Sequence, residues 1–77
     1  MVQAYVLMQT EAGSAASVSA ELAKIEGAIS AHVVTGPYDV IARVEAGNID
    51  ALGKLVVSRI HAVVGITRTL TCPIVRL

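Results

Sequence analysis

Two apolar stripes at helical spacing, each set between β-rich runs, constrain this chain more than any other feature. Val18, Leu22, Ile25 and Ile29 recur at intervals that place one face of a helix against a core, and Ile49, Leu52, Val56 and Ile60 repeat the pattern, widened by Leu55 and Val63. The segments "VQAYVLMQ" (2–9), "ISAHVVT" (29–35), "DVIARVEA" (39–46) and "ITRTLTCPIVRL" (66–77) are rich in β-formers and read as strands. The punctuation agrees. Ser14 follows Ala-Gly as a helix N-cap, and Asn48 follows Gly47 as another, with Asp50 in the dipole-favoured first turn. Gly27 and Gly65 stand where helices stop, and Gly36-Pro37 makes a tight turn between two strands. The predicted order is β-α-β-β-α-β over one domain, residues 1–77. This is the α+β, ferredoxin-like arrangement: a four-stranded antiparallel sheet with two helices on one face. Pro73 predicts an edge position or a bulge for the last strand.

The strands then pose a covering problem. Val6 and Met8 point one way in the first strand, Tyr5 and Leu7 the other; Val40, Ala42 and Val44 oppose Ile41 in the third. Two helices cover one face of a sheet, and a face exposed to water should be polar. A 77-residue chain that is 55% hydrophobic, with no Phe or Trp, is too small to be robust alone. Cys72 is its single cysteine, so no internal disulfide staples it, and a reducing cytoplasm suits it. Pairing of the second sheet face with another copy is therefore expected.

Several function classes lose support. Six basic and six acidic residues cancel, and no basic patch is present, so direct nucleic-acid binding is not expected. No apolar run approaches the ~20 residues of a membrane helix, and the N-terminus lacks a signal-peptide pattern, so no membrane association is expected. His32 and His61 have no Cys or acid at metal-ligand spacing. Cys72 is expected to pack as a small hydrophobe, and Glu11, Glu21 and Glu26 to be solvated. No phosphate-cradling glycine motif and no nucleophile-base-acid set can be assembled, so neither a cofactor nor enzyme activity is expected.

Two constellations carry chemistry. Gly36-Pro37-Tyr38-Asp39 is open to two readings, one of them only a turn, with Gly for backbone freedom, Pro for fixed φ and Asp for a local hydrogen bond. It also offers a carboxylate, a phenol and free backbone N–H groups. Thr69 and Thr71, at i and i+2, put two hydroxyls on one strand face, although threonine is an ordinary strand residue. Together they supply what a small zwitterion needs. In the strand order 4-1-3-2 the clusters lie two strand spacings apart, roughly 10 Å, which favours a site shared between subunits.

The pieces "VVTGPYDVIARVEA" and "VVGITRTLTCPIV" make the chain resemble the effector-binding domain of the Lrp/AsnC (feast/famine) regulators over nearly its whole length. The resemblance implies a βαββαβ domain that pairs through its sheets and assembles further into octamer-type rings. It also implies that a free amino acid binds between dimers, contacting Gly36, Tyr38, Asp39, Thr69 and Thr71. Pro37 completes the turn and removes one backbone N–H from it. On this reading Asp39 faces the ligand ammonium and Tyr38 shapes the side-chain end. Family members carry a helix-turn-helix, whereas here Met1 leads into the first strand. A stand-alone module acting through assembly with full-length regulators, without DNA binding of its own, is the expectation. The competing readings are a dimeric α+β barrel enzyme, in which only His32 could serve, an ACT-like amino-acid-binding module, and an assembly unit without a ligand.

Overall fold

The first strand, β1 (Val2–Thr10), is the frame on which the rest is built. A computed structural model describes all 77 residues and orders the elements β1, α1 (Ala15–Leu22), β2 (Ala28–Val33), β3 (Val40–Ala46), α2 (Ile49–Leu55) and β4 (Ile66–Pro73). The strands form one antiparallel sheet in the order β2-β3-β1-β4, so the predicted topology holds.

Side-chain alternation divides the sheet. Ala4, Val6 and Met8 of β1 stand opposite Val44, Ala42 and Val40 of β3, and all six are fully buried. Val18 and Leu22 of α1 pack on them with Leu52 of α2 and the following Val56 and Ile60, completing the core. Aliphatic side chains alone make it, as the composition requires. On the opposite face Leu7 lies between Ile41 and Leu70, and Tyr5 between Arg43 and Cys72. Tyr5 is 44% and Leu70 48% exposed, so this apolar face has no cover within the protomer.

Four expectations are corrected. α1 stops at Leu22, so Ile29 is not on its stripe; it lies in β2 beside a register shift and is largely exposed. Gly27 accordingly acts at the entry to β2 and not as a helix C′ residue. Its φ is +99°, its carbonyl accepts from the Glu45 N–H at 2.8 Å, and a Cβ there would stand 3.0 Å from the Glu45 carbonyl oxygen. Ser14 does occupy the N-cap of α1, but its hydroxyl makes no capping bond; instead Ser17 Oγ donates to the Ser14 carbonyl. Cys72 is exposed on the open face rather than packed.

Asn48 caps α2 as predicted, its Oδ1 accepting from the Ala51 N–H at 2.8 Å. Ile49, the first helical residue, is exposed and not in the core, a further departure from the apolar stripe. After Leu55 the helix widens into a π-helical stretch, Val56–Ile60, with the His61 N–H donating to the Val56 carbonyl at 2.9 Å. Such wider turns are uncommon and local. This one keeps Val56 and Ile60 in the core while swinging His61 toward β4. Pro73 sits on the edge strand β4, where its missing N–H costs no central ladder bond.

Candidate functional site

The 36–39 turn is held to the end of β1 by more than its own backbone. The Asp39 N–H donates to the Met8 carbonyl at 2.9 Å, and the Val34 N–H donates to the Asp39 carbonyl at 2.9 Å, closing the β2–β3 connection. The Asp39 carboxylate then reaches across: Oδ2 accepts from the Thr10 N–H at 2.8 Å and stands 3.4 Å from the Thr10 hydroxyl. Gln9 Nε2 donates to the Pro37 carbonyl at 3.1 Å. Gly36 adopts φ +135°, a backbone conformation that disfavours any side chain. Gly36 and Pro37 are exposed, and Tyr38 and Asp39 half-buried. The turn therefore presents a carboxylate fixed by one oxygen, with Oδ1 unbonded in the protomer.

Thr69 and Thr71 do share one strand face, as their spacing predicts. That face is the helix-covered one, because Thr69 stands opposite Met8 and Thr71 opposite Val6. The His61 ring, delivered by the π-helical stretch, places Nε2 2.9 Å from Thr69 Oγ1. His61, Ile66, Thr67, Arg68 and Thr69 line a shallow cavity of about 220 Å³. Thr71 lines a separate apolar groove of about 210 Å³ with Ile49, Leu52, Val56 and Pro73. None of the cavities is lined by Gly36, Pro37, Tyr38 or Asp39.

The sheet thus brings the two constellations to the same end of β1 but on either side of it. Asp39 is bonded to Met8 from the β3 side, and Thr69 stands opposite the same Met8 from the β4 side. With β1 between them the separation is two strand spacings, roughly 10 Å. A small molecule that met both within one protomer would have to span that distance across β1. Sequence reasoning missed Thr10 and Gln9, which anchor the turn, and His61, which touches Thr69. The bond from Thr10 to Asp39 spans 29 positions and leaves no local motif. The approach of His61 depends on a π-helical turn that the apolar stripe conceals. Three or more His, Cys, Asp or Glu side chains gathered as a metal site do not occur, and no helix is long and apolar enough to cross a membrane.

Known proteins share this architecture. An uncharacterized HTH-type transcriptional regulator of Pyrococcus furiosus is 31% identical over 71 residues, covering 88% of this chain and 47% of the relative. The chain thus spans about half the length of that curated relative. A crystal structure from Thermus thermophilus superposes with a TM-score of 0.92 at 27% identity, covering 100% of this chain and 96% of that one. A Neisseria meningitidis transcriptional regulator, solved as its complex with L-Met, shares the fold at a TM-score of 0.84 and 17% identity, covering 97% of this chain and 50% of that one. The model of the Lrp/AsnC ligand binding domain matches residues 3–76, and this chain belongs to that family.

Proposed function

We propose that the protein is an amino-acid-responsive regulatory module that works as an oligomer. Copies pair through their open sheet faces into dimers, and dimers associate so that a free amino acid lies between the 36–39 turn of one protomer and the β4 threonines of another. Asp39 Oδ1 accepts from the ligand ammonium, Tyr38 bounds the ligand side chain, and the Thr69 and Thr71 hydroxyls meet its polar groups. The observation that carries this reading is the fixed carboxylate. The Thr10 N–H holds Oδ2 at 2.8 Å and leaves Oδ1 free, which orients the anion before any ligand arrives. The exposed apolar face of Tyr5, Leu7, Ile41 and Leu70 supports sheet pairing. The L-Met complex of the Neisseria relative supports an amino acid as the ligand class. With zero formal net charge and no basic stripe, the module acts on other Lrp/AsnC-type regulators by assembly and not by holding DNA itself.

The test is thermal unfolding against a panel of free amino acids, with solution mass measured beside it. At a ligand concentration 100 times Kd, native-state binding adds about 2.7 kcal/mol. For a domain of this size that is a rise in melting temperature of about 10 °C or more. A panel with no shift, or a stable monomer at micromolar concentration, overturns the reading.

A further inference from the structure

At the centre of the open sheet face, beside the apolar Tyr5, Leu7, Ile41 and Leu70, stand one cation and one anion, and neither has an ionic partner in the protomer. Arg43 stands mid-strand on β3, opposite Tyr5, and Glu45 follows at i+2 on the same face, opposite Gln3. Both are half-buried, yet they do not pair with each other; the ion pair in the protomer is Lys24–Glu21, on the helix side. Gln3 stands between them instead. Its Oε1 accepts from Arg43 Nη2 at 3.2 Å, and its Nε2 donates to Glu45 Oε1 at 3.2 Å. The same Oε1 also accepts from Arg76 Nη2 at 3.3 Å, so Arg43 shares its one acceptor. Arg43 Nε is buried with no acceptor at all. A guanidinium with five donors thus uses one on a neutral amide and buries another unpaired, an arrangement that is costly unless something completes it.

We propose that the completing group is the partner's Glu45, and that two reciprocal Arg43–Glu45 pairs set the register in which two copies of this chain join. The inference rests on the sheet-pairing reading above and adds the charge code that selects the partner. A face-to-face pairing of identical sheets is isologous, so every group on the face must be satisfied from the same set of groups. Among the strand residues that point to this face, Glu45 is the one carboxylate; Arg68, opposite Gln9, adds a further cation nearer the strand ends. Among the strand residues of the face Arg43 therefore has one anionic candidate, Asp39 being held by Thr10 at the far end of the strand, and symmetry makes the contact twice. As Arg43 turns from Gln3 toward the partner's Glu45, Nε and an Nη engage the carboxylate side by side, the bidentate geometry that suits arginine. The apolar side chains around them (Tyr5, Leu7, Ile41, Leu70) exclude water from both pairs. A chain with the same apolar face but without this charge pattern is rejected, because it leaves Arg43 and Glu45 desolvated and unpaired.

The test is charge exchange, read by sedimentation over a dilution series, with circular dichroism to confirm folding. Arg43→Glu alone and Glu45→Arg alone each place two like-charge contacts in a homodimer and are expected to raise its Kd about 100-fold or more. The double variant R43E/E45R restores opposite charges and is expected within about tenfold of wild type, since coupled partners recover energy lost singly. An equimolar mixture of the two single variants is expected to form heterodimers. A wild-type dimer whose affinity is unmoved by the single exchanges, or not restored by the double one and the mixture, overturns the charge code while leaving sheet pairing intact. A monomeric wild type overturns both. Should Arg43→Glu not fold, Glu45→Arg carries the test through salt: its dimer is expected to tighten as ionic strength rises, while the wild-type dimer weakens. The opposite pair of trends overturns the proposal.

Discussion

Asp39 is asked to do two things, and replacing it in two ways separates them. Asp39→Ala removes the acceptor of the Thr10 N–H at 2.8 Å along with the charge. Hydrogen bonds to charged groups contribute about 1.5–3 kcal/mol. Because Asp39 is half-buried and water can replace part of the bond, a loss of about 1–2 kcal/mol is expected. For a domain of this size that lowers the melting temperature by about 5–15 °C. Asp39→Asn keeps an oxygen that can accept from Thr10 and removes only the charge. Its stability is expected to fall by less than about 1 kcal/mol, the scale of a neutral hydrogen bond. For the ligand the ranking changes. On the proposed reading both variants leave the ligand ammonium without its anion, at an expected cost of about 2–5 kcal/mol. That is a weakening of about 30-fold or more for each. Melting curves of all three proteins, beside calorimetric titration with the amino acid that shifts wild type most, give both readouts. If Asp39→Asn binds as wild type does, the carboxylate is a latch for β1 and nothing more. If Asp39→Ala melts at the wild-type temperature, the latch argument is wrong.

Thr69→Val is expected to weaken the same ligand by about 1 kcal/mol, one neutral hydrogen bond, with the calorimetric Kd as the measure. Gly27→Ala is expected to destabilise by more than about 1–2 kcal/mol, since φ of +99° is strained for alanine and its Cβ would press on the Glu45 carbonyl; urea unfolding measures it. Gly53→Ala, inside α2 with open space around a new Cβ, is expected to stabilise by about 0.5–1 kcal/mol in the same assay. Asn48→Ala removes the cap on the Ala51 N–H and is expected to cost about 0.5–2 kcal/mol, with Asn48→Asp retaining most of it.

The order of elements was legible because both of its signals are local. Alternation put Ala4, Val6 and Met8 on one face, and the spacing of Leu52, Val56 and Ile60 put them on one helix side. Boundaries were less legible. Ile25 and Ile29 continue the α1 spacing, but the chain must turn by Gly27 to pair with β3, and tertiary pairing overrides the stripe. The π-helical stretch was invisible, because an extra residue in a turn moves no apolar residue off the core side. At the candidate site, the residue types were readable and their bonds were not. Asp39 looks the same in sequence whether it caps its own turn or reaches Thr10. Thr69 and Thr71 look the same whether their face is open or helix-covered; only the register, Thr69 opposite Met8, decides it.

That register has a thermodynamic consequence. β1 lies between the fixed carboxylate and the threonines, so under the proposed function a ligand that meets both groups touches two protomers, and its binding and the assembly share one free energy. Whatever factor the ligand adds to association, association returns to ligand affinity. A module built this way needs no hinge or lid to transmit a signal. On the proposed reading the ligand changes which copies are held together, and the amount of protein present changes how tightly the ligand is held. The same linkage ties the two faces of the sheet. If sheets pair as proposed, the open face, with Tyr5 and Leu70 exposed, sets how much dimer is available, while the far end of β1 sets what the dimers do next. Weakening the first therefore weakens ligand binding even though no residue at the ligand has changed.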